Sequence, residues 1–196
     1  MAATARTLAV LLAASGPAGP APAQELARPT CDYGARSPDA PAELAQFDFL
    51  IGDYTISAHG WDEEAGRWTP PRPGAPARWN GRWVLGGTAI ADEWFDRDPG
   101  MVPDAERGIN VRMWDSEAGE FDMMWVADSN HQVQDLRARM IDGVLTMWQV
   151  YPERPDFRAY FNRFGDGSWE RVSLVPDGEG GWRKQFRLHA TPIPCR

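Results

Sequence analysis

Arg112 falls two residues after Asn110 and two before Trp114, and Arg158 falls two before Tyr160 and four before Asn162. In an extended strand successive side chains point to opposite faces, so each of these sets shares one face. A guanidinium among aromatic rings presents a planar fork of donors that suits a carboxylate. Such a cation is too costly to bury unpaired, so it calls for a protein carboxylate or an anionic ligand. Asp92 and Glu93 are the candidate protein partners. The chemistry on offer is capture: Arg112 or Arg158 holds an acidic group while Trp79, Trp125 and Trp148 grip an apolar body. The competing reading is that these arginines stripe a solvated outer wall. A second chemistry would set Glu93 beside Tyr160 or Arg112 to polarise an enolisable or phenolic ligand without a cofactor, as a lyase or isomerase would. Asp92 and Glu93 point to opposite faces of a strand and make a poor acid–base pair with each other. The candidate ligand-binding set is therefore Trp79, Glu93, Arg112, Trp125, Trp148, Arg158 and Tyr160, with no catalytic residue assigned.

Other chemistries find little support. His59, His131 and His189 lie on different strands or strand ends, without HxH or HExxH spacing, so no metal site is expected. The chain has neither a Gly-x-Ser-x-Gly elbow nor a phosphate-cradling glycine loop. Its net charge of −8, with no basic run, argues against nucleic acid and anionic membrane surfaces. The 10 tryptophans suggest a lined interior or a ligand surface, although barrel walls rich in aromatics give the same count.

The elements that must position these residues are short strands. Ala42–Leu50 predicts one short helix, with Leu44, Phe47 and Leu50 at helical spacing. The apolar knot Phe47, Phe49, Leu50, Ile51 then meets Gly52, which allows a sharp turn into the first strand. From Asp53 the chain alternates in short runs divided by turn residues. Trp61-Asp62 to Gly66-Arg67-Trp68 and Trp114-Asp115 to Gly119-Glu120-Phe121 share one hairpin plan. In each, an Asp bonds the turn amides, a glycine takes the left-handed position, and two aromatics face each other across the strands. Strands are expected at about 53–61, 67–69, 77–85, 88–96, 107–114, 120–128, 132–140, 144–151, 157–164, 168–175 and 182–190. Thr69–Pro76 and Arg97–Glu106 read as loops, and Pro152 with Pro155 as another break. The fold class is all-β: an antiparallel up-and-down barrel of about ten strands with the short N-terminal helix plugging one end. Closure removes sticky edges, and the short connections disfavour a two-sheet sandwich.

Residues 1–23 have the order of a secretory signal: a charged start at Arg6, an apolar run over Thr7–Ala14, and a small-residue end at Ala21-Pro22-Ala23. The apolar run is too short to span a bilayer, where about 20 residues are needed. Cleavage before Gln24 would leave an irregular arm over 24–41, the barrel domain over 42–196, and a periplasmic or secreted protein not inserted in a membrane. A disordered Ala/Pro tail is the alternative. In an exported chain Cys31 and Cys195 are expected to pair, tying the arm to the last strand, with two free thiols as the alternative.

Phe49-Leu50-Ile51-Gly52-Asp53-Tyr54, Trp79-Asn80-Gly81-Arg82-Trp83, Asp92-Glu93-Trp94 and Gly108-Ile109-Asn110-Val111-Arg112 resemble the DUF1579 group of bacterial proteins. That group is placed with the calycin-like barrels, alongside lipocalins, fatty-acid-binding proteins and nitrobindins. The resemblance covers roughly residues 44–190, and many members have Trp where this chain has Tyr54. It implies a barrel with an internal cavity but no established activity; taken with the aromatic and arginine sets, the expected partner is a small-molecule ligand, and no cofactor is expected. It also raises a haem alternative, since nitrobindin-like barrels carry an axial histidine near the position of His189.

Overall fold

Short strands of alternating inward and outward side chains run through the chain from Gly52 to Pro192. The computed structural model describes residues 31–74, 76–96, 106–128 and 131–195. It folds that alternation into a closed antiparallel barrel. The strands are β1 (Gly52–Asp62), β2 (Arg67–Trp68), β3 (Ala77–Val84), β4 (Ala89–Phe95), β5 (Arg107–Asp115), β6 (Glu120–Ala127), β7 (Gln132–Ile141), β8 (Val144–Tyr151), β9 (Arg154–Arg163), β10 (Trp169–Pro176) and β11 (Trp182–Pro192). From β3 to β11 each strand pairs with the next, and β1 closes the ring between β3 and β11, with Ile56 opposite Ala190. The two-residue β2 only extends the end of β1, so ten strands form the wall.

The expected helix over Ala42–Leu50 is a 3₁₀ helix. Leu44, Phe47 and Leu50 recur every third residue, and three residues per turn puts them on one edge of a 3₁₀ helix. All three are fully buried, and Phe47 meets Phe121 and Phe161 edge-on at centroid distances of 4.7 and 5.6 Å. Around them Tyr54, Trp79 and Trp169 pack at similar spacing, and this end of the barrel is solid. Gly81 makes the seat: a side chain there would collide with the carbonyl of Leu50 at the end of the plug. The hydroxyl of Tyr54 donates to the Phe49 carbonyl at 2.7 Å, fastening the plug to β1.

Both hairpins follow the expected plan. Asp62 and Asp115 accept bonds from turn amides, Gly66 and Gly119 take positive φ, and the rings of Trp61–Trp68 and Trp114–Phe121 meet edge-on. One expectation fails. Pro155 does not break the chain but lies inside β9. The β8–β9 register jumps from Trp148↔Arg158 to Gln149↔Arg154, so the proline falls in a bulge where no ladder bond is lost to its missing N–H.

The described part of the arm, 31–41, is irregular but docked. Tyr33 accepts from the Trp83 amide at 2.8 Å and donates its hydroxyl to Asp53 at 2.8 Å, while Ser37 bonds Gly87. Cys31 and Cys195 form a disulfide across 164 residues of sequence, with Cα atoms 5.7 Å apart. The signal-like segment and most of the loop expected at Arg97–Glu106 lie outside the described residues.

Candidate functional site

Beyond the plug the barrel is hollow. A cavity of about 320 Å³ is walled by Trp79, Trp94, Trp125, Leu136, Met147, Phe157, Phe161, Phe186 and Leu188. Its polar lining is Asn110, Arg112, Gln134, Gln149, Arg154 and Arg171. A depression of about 670 Å³ shares Trp94, Phe186 and Leu188 with it and is bounded on its far side by Pro71, Arg72 and Pro73. Gly108 gives Trp125 its place in the wall: a Cβ there would occupy the space of the indole ring.

Arg112 forms the floor. Its guanidinium sits 5.0 Å from the Phe47 ring of the plug and 5.8 Å from the Trp79 ring of the cavity. It is ion-paired with Asp92, and both side chains are fully buried. The pairing follows from register: Asp92 stands opposite Asn110 on β5, one inward step from Arg112. Burial, and then repulsion from the charge of Arg171, holds Arg112 below the usual arginine value. Arg171 enters from β10, opposite Leu188 and Phe161. Burial pushes it down to about 10, which still leaves it charged at neutral pH. Its guanidinium lies 5.8 Å from the Phe186 ring. Arg154, near the exposed end, lies 3.5 Å from Asp156.

Of the expected site residues, Trp79, Arg112 and Trp125 line the cavity. The other four do not. Glu93 faces outward and accepts from Arg82 at 3.0 Å, so Asp92 alone neutralises Arg112. Trp148 lies on the outer wall under Arg139, at 5.6 Å. Arg158 is exposed and lies 4.6 Å from the Trp182 ring, also outside. Tyr160 pairs with Val172 and Thr146 on that same outer face, where burial and Glu170 raise its pKa. The physical reason is common to all four: on each strand the opposite face carries the buried side chains, Ile90 and Asp92 beside Glu93, Met147 beside Trp148, and Ala159 and Phe161 beside Arg158 and Tyr160. The pairing of Glu93 with Tyr160 or Arg112 for ligand polarisation is therefore not assembled.

His189 faces outward too. It stands opposite Ser57 and Glu170, with its ring 6.1 Å from Phe164. The axial position expected of it for haem would need the inner face, so the cavity gains no imidazole from this strand. Among the described residues no cluster of His, Cys, Asp or Glu is placed to hold a metal ion. The outer wall here holds a polar network instead, in which Glu170 accepts from Asn162 at 2.8 Å and Arg187 at 2.9 Å.

Residues missed by the sequence reading are Trp94, Gln134, Gln149, Arg154, Phe157, Arg171 and Phe186. For Phe157 a signal existed: Phe157, Ala159 and Phe161 form a more apolar set than Arg158, Tyr160 and Asn162. No protein-family model matches this chain, and no curated protein matches it.

Proposed function

We propose that this chain is an exported binding protein that holds a small, largely aromatic or amphipathic molecule in the hollow end of its barrel. The observation that carries the reading is the cavity itself, a space at the lower end of the size range of small-molecule pockets, walled mainly by indole and phenyl rings. Six polar side chains sit at defined places on the wall, which suits orienting a ligand. Export is supported by the signal-like sequence of residues 1–23 and by the disulfide joining Cys31 to Cys195. The outer wall carries charged side chains such as Arg137 with Asp122 at 3.0 Å, a surface suited to water. Kinship with the calycin-like barrels belongs to the same proposal, supported by the closed meander and the plug at one end.

Calorimetric titration with 2-naphthamide, a neutral bicyclic probe, tests the binding reading. The wild-type chain should bind it saturably, and Trp125→Ala should weaken binding by about 10-fold or more, since burying one large apolar side chain is worth roughly 1.5–3 kcal/mol. Absence of saturable binding by both 2-naphthamide and its acid, 2-naphthoate, would end the proposal. So would a Trp125→Ala variant that binds as well as wild type.

A further inference from the structure

The inner wall does not balance its charge. No carboxylate lines the cavity among the described residues, and the buried Asp92 beside it is taken by Arg112. Arg154 near the exposed end has Asp156. Arg171 has no carboxylate within ion-pair distance among the described residues, although it lines the cavity half-buried, with its Nε shielded from solvent. Its neighbour in charge is another cation, Arg112.

The hydrogen-bonding inventory leans the same way. Setting aside the Arg112–Asp92 ion pair, Arg171 Nε, Arg112 Nε and Trp79 Nε1 are buried donors without a protein acceptor, against Asn110 Oδ1 and Asp92 Oδ2 as buried acceptors without a protein donor. Donors thus outnumber acceptors around the hollow. A neutral apolar ligand would leave the Arg171 guanidinium desolvated and uncompensated, the costliest arrangement for a charge in a protein interior. A carboxylate accepts from the planar guanidinium fork through two oxygens and has no proton of its own to place.

Resting on the proposed binding role, we infer that the ligand is a small aromatic monocarboxylate whose acid group is received by Arg171. The aromatic body then lies against Trp125, Phe186 and Phe157, and Arg112 with Asp92 forms a charge-neutral floor. This reassigns the anion receptor. Arg112, the candidate from sequence, already has its carboxylate in Asp92, and Arg158 is on the wrong side of the wall.

The isosteric probes 2-naphthoate and 2-naphthamide separate this inference from the cavity reading on which it depends. Wild type should bind the acid about 10- to 100-fold more tightly than the amide, the range expected of a charge-assisted hydrogen bond. Arg171→Gln should bring the acid down to about the level of the amide, abolishing the preference between the two. Arg158→Gln, on the outer wall, should preserve the wild-type preference. Equal binding of the two probes by wild type would overturn the acid receptor and leave the aromatic cavity standing. That comparison needs no variant, so it decides the matter even if Arg171→Gln fails to fold. A preference that survives intact in folded Arg171→Gln would also overturn the assignment, and binding of neither probe would overturn both readings.

Discussion

The two ends of this barrel are built from the same strands and have opposite interiors. At one end Leu44, Phe47 and Leu50 enter from outside the wall, meet Phe121, Phe161 and Trp169, and leave no space. At the other end Trp125, Phe157 and Phe186 stand around a hollow. An eight-stranded barrel is about as wide as its own side chains can fill, so ten strands leave a surplus of volume. The 3₁₀ segment consumes that surplus at one end only. The boundary is a single layer, the Arg112–Asp92 pair, which touches plug and cavity at once. A hollow interior is thus the default of this wall, and the solid half is what the extra segment adds.

The strongest way to break the contrast is to remove the boundary charge. Asp92→Ala leaves Arg112 without its partner beside Arg171, and loss of one member of a buried ion pair costs about 3–5 kcal/mol. Chemical denaturation should show that loss, whereas Asp92→Leu combined with Arg112→Met should restore most of it, because replacing both members removes the uncompensated charge. A single variant as stable as wild type would mean that the pair does not hold the layer.

Next in size is the plug. Phe47→Ala should cost about 3–4 kcal/mol, toward the lower end of what large-to-small changes remove when the site cannot collapse. It should also extend the hollow toward the solid end, so 2-naphthamide would bind with altered affinity at temperatures where the variant is folded. Unchanged stability would show that the 3₁₀ segment is an ornament on a barrel that closes without it.

The contrast between the ends also marks where the sequence could be read. Strands and turns were legible because the wall is half-buried: alternation with a period of two and paired Asp and Gly residues at the hairpins follow from that condition. The plug was legible from Leu44, Phe47 and Leu50, though its three-residue turn was not distinguished from an α-helix. The site was legible only on strands where one face is plainly apolar. Trp79 and Trp125 sit on such strands, whereas on β5 the more apolar set Ile109, Val111 and Met113 turns outward and Arg112 was legible only from the face it shares with Trp114. On β8 the large ring of Trp148 suggested the inner face, yet it is stacked outside by Arg139 while Leu145, Met147 and Gln149 turn inward. On β10 the inner set Trp169, Arg171, Ser173 is no more apolar than the outer set Glu170, Val172, Leu174, so alternation carries no sign there. Arg171 was hidden by that ambiguity. Register with β9 and β11 resolves it, and register is a property of the closed sheet rather than of one strand.

The smallest effect concerns the outer wall beside the solid end, where the hollow end has no counterpart network among the described residues. His189 is held below its ordinary pKa, first by burial and then by the Arg187 charge, against opposing pulls from Glu170 and Asp166 and a further push from His59. Its Nδ1 is buried without a hydrogen-bond partner, so the folded state favours the neutral ring. A depressed folded value means that the stability it confers is present above the unfolded histidine value of about 6.5 and is lost as pH falls through the lower, folded one. Between pH 7 and pH 5 the wild-type barrel should therefore lose a little stability, and His189→Gln should lose less over the same interval. Amide exchange should report the change on β10 and β11 around Glu170 and His189, with the cavity strands β5 and β6 unaffected. An identical slope in His189→Gln would assign the acid sensitivity to other groups. Exchange that accelerates equally on both sides of the Arg112–Asp92 layer would instead show that the solid and hollow ends open as one unit.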